Sequence, residues 1–172
     1  MVRILRSLGR VVAFLEDICV EILLAAMMLV IVAHVANRAT LQIPSGGAWE
    51  LSRFCMIIIV FIGLAIGARE RGHIRIDLLS SVVKNDRVLG GVNIFFDVLL
   101  LGLVLTYWYW SIEYFRWTIV DGVRSIDLQI PLAIVVFSMV VGVALACVHL
   151  GRNLIDDVRS FRKGETVWRG QY

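Results

Sequence analysis

Proline is almost missing from this chain: 172 residues hold two, Pro44 and Pro131. With so few helix breakers, long uninterrupted helices are permitted nearly everywhere. Cysteine is scarce too, and Cys19, Cys55 and Cys147 show no CxxC or metal-ligand spacing. They read as buried thiols in or beside apolar segments, which argues against a disulfide framework and against a thiolate metal site. The three histidines are no more promising as ligands. His34 falls near the opposite membrane face from His73 and His149, and the latter two sit among charges at span ends, so bis-histidine binding of a b-type haem is disfavoured. No nucleophile elbow, HExxH or phosphate-binding glycine loop is present. The chain is therefore expected not to be an enzyme, to hold no metal, and to carry no cofactor of its own.

What the chain has in excess is apolar surface. Its residues are 59% hydrophobic and the mean hydropathy is +0.84, outside the range of ordinary soluble domains. Four apolar segments, at about 18–36, 51–68, 92–112 and 128–150, each approach the ~20 residues of a bilayer-crossing helix. The expected fold is an all-α integral membrane protein with four transmembrane helices in a single membrane domain, 1–172, that ends in a tail at 151–172. In the segment 1–17, Val2, Leu5, Leu8, Val12 and Leu15 recur at helical spacing with Arg3, Arg6 and Arg10 between them. This pattern predicts an amphipathic helix on the membrane surface. A cleaved signal peptide is the rival reading, but Glu16, Asp17 and Glu21 break the apolar core and no A-x-A site follows. A second short surface helix is expected where Ile74, Leu78, Leu79 and Val82 share a face.

The net charge of +3 is better read as topology than as nucleic-acid binding. In a four-span arrangement all but four of the 17 Lys and Arg fall on one side, the exceptions being Arg38, Arg53, Arg116 and Arg124. Both termini are then expected in the cytoplasm.

The stretch from Trp49 to Asp77 organises the chain. Glu50 and Arg53, three apart, share a helix face where the second span begins. Gly63 and Gly67 supply a GxxxG spacing within it, and Ser138, Gly142 and Ala146 repeat small residues in the fourth span, where Pro131 suits the first turn. Asp97, with Asn93 one turn earlier, is expected at a structural subunit contact. Partner-interface candidates are thus Glu50, Arg53, Gly63, Gly67, Asp97, Ser138 and Gly142. Membrane-interface anchors are expected at Arg69, Arg71, His73 and Arg75 on one side, and at Trp108, Trp110 and Trp117 in an aromatic belt on the other.

An ordered set of these features resembles a known family. It comprises Arg38, Trp49-Glu50 with Arg53, Gly63, Arg69 with His73-Ile74 and Asp77, and Leu128-Gln129-Ile130-Pro131. Over nearly its whole length the chain resembles the small membrane subunit (DctQ-like, or Q subunit) of tripartite ATP-independent periplasmic (TRAP) transporters. The resemblance implies a multi-pass protein of the bacterial inner membrane that braces a large M-type membrane subunit. In such systems sodium and substrate belong to that partner, and a periplasmic substrate-binding protein delivers an organic acid for uptake by symport. Two other readings compete: a membrane anchor of a respiratory oxidoreductase, and a stand-alone four-helix scaffold or exporter.

Overall fold

The computed structural model describes residues 2–40, 46–70 and 86–163. Within them the chain forms four α-helices: α1 (Val2–Thr40), α2 (Gly46–Arg69), α3 (Asp86–Val120) and α4 (Leu132–Lys163). Each is long and apolar enough to cross a membrane, so the chain is a multi-pass membrane protein. Every helix outruns its expected span. α1 alone has 39 residues, about 58 Å at 1.5 Å per residue, nearly twice the ~30 Å hydrocarbon core.

Two boundaries differ from expectation. The segment 1–17 is continuous with the first span, since α1 is unbroken from Val2. Gly9 is the one weak helix former near its start, and a single glycine costs only ~1 kcal/mol in a helix. The fourth helix begins at Leu132 rather than Leu128 because residues 128–131 are spent on a hairpin. Pro131 accordingly stands just before the helix, where its carbonyl accepts the Ile134 N–H at 3.1 Å. The surface helix expected near residues 74–82 lies outside the described residues.

The helices pack in the order α1, α2, α4, α3, each chiefly against its neighbours in that row. Ala65 and Ala68 of α2, Val104 of α3, and Val143, Ala146 and Leu150 of α4 form the buried core. Between α2 and α3 a further link comes from Phe61 stacked on Tyr107, with ring centroids 6.1 Å apart. Small side chains dominate the core for a physical reason. Lipid is as apolar as leucine, so helices associate through close backbone approach rather than through escape from water. Gly142 shows how close: a Cβ there would stand 2.5 Å from the Phe61 carbonyl oxygen.

α1 is attached by a thinner seam. Gly9, Glu16, Leu23, Val30 and Asn37 recur every seven residues and are less exposed than their neighbours, the spacing of a coiled-coil seam. Phe14, Leu15, Ile22, Leu29 and Val32 are exposed. At the end of α1, His34 meets the Trp49 ring edge-on at 5.4 Å.

Gly142→Ala is expected to lower the stability of the detergent-solubilised chain by about 1–3 kcal/mol, since the added methyl must push two backbones apart. Gly63→Ala is the control, because nothing lies within 4 Å of a Cβ built there. Thermal unfolding of both variants checks the contrast, and a Gly142→Ala chain as stable as its parent would refute the close α2–α4 approach.

Candidate functional site

Two polar clusters, one at each end of the bundle, hold most of the buried charge. At the end where α2 begins, Glu50 is only 3% exposed yet faces three backbone donors. Its Oε1 accepts the Ile126 N–H at 3.0 Å, and its Oε2 accepts the N–H groups of Asp127 at 3.1 Å and Leu128 at 2.8 Å. The donors belong to a hairpin between α3 and α4. Within it, Ser125 N–H bonds the Ile130 carbonyl at 2.9 Å, and Leu132 N–H bonds the Val123 carbonyl at 3.0 Å. Gly122 takes a positive φ of 59°, and Gln129, unusually for a side-chain-bearing residue, one of 53°. The left-handed turn at Gln129 is held on both sides: its carbonyl accepts from Arg124 Nη1 at 3.2 Å, and its Nε2 donates to the Ile126 carbonyl at 3.0 Å. Successive N–H groups brought together in a turn make an anion-binding concavity. Here the chain fills it with its own carboxylate.

The start of α2 is shaped to let the hairpin close. A Cβ on Gly47 would meet Leu128 Cδ2 at 2.6 Å, and one on Gly46 would meet the Asp127 carboxylate at about 3.0 Å. Arg53 Nη2 lies 3.6 Å from Glu50 Oε1, with its side chain largely exposed. The pairing expected from their spacing is present, but the hairpin amides are the carboxylate's principal partners.

At the opposite end Arg69 joins α2 to α1. Its Nη1 donates to the Ala13 carbonyl at 3.0 Å and to Glu16 Oε2 at 3.1 Å, and its Nη2 donates to Asp17 Oδ1 at 2.6 Å. Glu70 stands 3.4 Å from the same nitrogen. The other oxygen of Glu16 lies 3.2 Å from His149 Nε2 on α4. A carboxylate only accepts, so the proton of that bond sits on the histidine nitrogen. Asn153 completes the junction by donating from Nδ2 to the Ala68 carbonyl at 2.7 Å, satisfying one of the last carbonyls of α2. Thus α1, α2 and α4 meet at one cluster.

The remaining sequence candidates divide cleanly. Gly142 packs within the chain, and the Ser138 hydroxyl bonds its own helix at the Val135 carbonyl, 2.6 Å away. Asp97 shares the side of α3 that carries Leu100, Leu101 and Val104 into the core, and its Oδ2 is buried. The residue as a whole is half-buried. Trp108, expected in the aromatic belt, also packs against the core with a buried Nε1, because helical spacing aligns it with Val104. Trp110 and Trp117 are exposed. Arg69 is only 20% exposed, and its guanidinium links α2 to α1. Gly63 and Gly67 are half-buried, and they continue the exposed line of Trp49, Arg53, Met56 and Val60 along α2. Arg71, His73 and Arg75 lie outside the described residues.

Sequence reasoning does not find the Glu16–His149 contact, since 133 residues separate the pair. The available signal is coarser: Glu16 and Asp17 near the inner end of the first span, and a basic residue ending the second. Chemically, the buried carboxylates of both clusters meet groups of the same chain, contacts that tie the helices together. The three cysteines are free, and only Cys55 is fully buried.

Arg69→Ala leaves Glu16 buried without its cation and is expected to cost about 3–5 kcal/mol. Removing the stranded charge as well, in Glu16→Ala/Arg69→Ala, is expected to recover part of that loss, and a double-mutant cycle by thermal unfolding measures the coupling. Additive losses would refute it. At the other end, Glu50→Gln is expected to loosen the hairpin by about 1–3 kcal/mol, since an amide offers one acceptor oxygen where the carboxylate offers two. Hydrogen exchange at Ile126, Asp127 and Leu128 reads this directly, as protection falling tenfold or more, and unchanged protection would refute the clamp.

The family model of "Tripartite ATP-independent periplasmic transporters, DctQ component" matches residues 27–160. A search of curated proteins finds no match. The matched region contains α2, α3 and the hairpin whole, and so includes the entire Glu50 clamp. With four helices fit to cross a membrane and the family matched across most of their length, the chain belongs to the DctQ family, the small membrane component of TRAP transporters.

Proposed function

We propose that this chain is the scaffold subunit that braces the large M-type membrane subunit of its transporter, during sodium-coupled uptake of an organic acid handed over by a periplasmic binding protein. The observation that carries this reading is the division of labour on α2. One side of the helix is consumed by internal packing and by Glu50, while the line Trp49, Arg53, Met56, Val60, Gly63 and Gly67 remains open. Two glycines in that line let a neighbouring helix come to backbone distance. Clamped helices with an open line along α2 suit a static support better than a moving carrier.

Orientation follows from charge. The basic excess supports a cytoplasmic Arg69 end and a periplasmic Glu50 hairpin, in the bacterial inner membrane of this proposal. There Ile126, 84% exposed, and the exposed Arg53 offer a contact for the binding protein. The sodium and substrate sites belong to the partner subunit.

Pull-down of tagged chain from native membranes in mild detergent tests the assignment. One large polytopic protein at equal stoichiometry is the expected companion, and Gly63→Leu is expected to lower its recovery at least tenfold without loss of the chain from the membrane. Recovery of the chain alone, or with a soluble flavin or iron–sulfur protein, would overturn the reading.

A further inference from the structure

We infer that Glu21 on α1 marks a second contact with the large membrane subunit, which presents a lysine or arginine to it. The inference rests on the scaffold reading above.

Glu21 lies near the inner end of the first apolar segment, in a helix long and apolar enough to cross a membrane, between Ile18, Cys19 and Val20 on one side and Ile22, Leu23 and Leu24 on the other. It is exposed and, among the described residues, makes no hydrogen bond or ion pair. Its acidic neighbours are differently placed. Glu16 and Asp17 are both held by Arg69, whereas Glu21 stands one turn further into the span, about 6 Å along the axis. Neither end cluster supplies its cation: Arg69 is engaged by Glu16, Asp17 and Glu70, and His149 by Glu16. Arg10 is three turns away along the helix, about 16 Å.

A bare carboxylate among lipid tails is strongly disfavoured, and ionisable groups at that depth face a partner or a cavity. Anionic headgroups repel it, and a glutamate side chain is too short to reach far toward water, unlike lysine or arginine. The surroundings point to a protein surface. Phe14, Met28 and Val32 are exposed on the same side of α1, and the exposed Ala25 leaves a shallow place between them. An apolar helix crossing there meets a single negative charge. The occupant with matching chemistry is a transmembrane helix of the large subunit, carrying one basic residue near its cytoplasmic end.

The test uses the complete complex from native membranes. Glu21→Lys is expected to reduce recovery of the large subunit at least tenfold, and Glu21→Leu and Glu21→Gln severalfold, with the chain still in the membrane. If the Glu21→Lys chain fails to insert, the two neutral variants decide. A benzoylphenylalanine photoprobe at position 21 is expected to label a membrane-spanning peptide of the large subunit that contains Lys or Arg, and changing that residue to Glu is expected to restore binding by Glu21→Lys. Undiminished recovery in the variants, labelling of lipid alone, or labelling of a second copy of this chain would overturn the inference while leaving the scaffold reading intact. A parent chain that brings down no large subunit would overturn both.

Discussion

Arg69 is the group on which the lower half of the bundle depends. In lipid no water competes for a helix's polar groups and no hydrophobic gain draws helices together, so a single guanidinium with five donors has unusual leverage. It reaches a backbone carbonyl and two carboxylates of α1. Through Glu16 it also sets His149, and with it the approach of α4. A lysine could not serve in the same way, since one compact ammonium lacks the fork that spans Glu16 and Asp17 together. The thin heptad seam of α1 makes the dependence sharper, because among the described residues Glu16 is the one fully buried side chain of that helix.

The Glu50 clamp explains why two short motifs far apart in the chain belong together. Trp49-Glu50 and Leu128-Gln129-Ile130-Pro131 each carry little information alone. In the folded chain the carboxylate of the first is received by the amides that lead into the second, and Gly46 and Gly47 clear the space between them. Two fragments of the family resemblance are therefore parts of one composite structure, read separately along the sequence.

The four spans were legible because a bilayer demands length and apolarity, and both are visible in one dimension. Which helix adjoins which was not, because lipid-facing and core-facing positions are equally apolar and a helical pattern cannot tell them apart. Trp108 shows the limit: it lies in a run of aromatic residues that suggests the membrane surface, yet it points into the core. The Glu50–Arg53 pair was readable from spacing, but the stronger partners of Glu50 are backbone N–H groups, which no residue type announces. For Arg69 the position at a span end was visible, but its partners on α1, more than 50 residues earlier, were not.

The separations within the two clamps impose an order of assembly on the emerging chain. Arg69 finds Glu16 across 53 residues, both in the first helical hairpin, so α1 and α2 hold every group needed to lock together as soon as α2 has emerged. Glu50 must wait for residues as far as 78 positions ahead, a delay of about 4–16 s at 5–20 residues per second. Until then its carboxylate stands at the membrane surface with Arg53 as its nearby counter-charge. The second hairpin then closes both ends on arrival, bringing the amides of Ile126 to Leu128 to Glu50 and His149 to Glu16. The contacts thus divide by helix pair: α1 and α2 carry the whole Arg69–Glu16 link, whereas Glu50 needs the amides of residues 126–128, which come later in the chain.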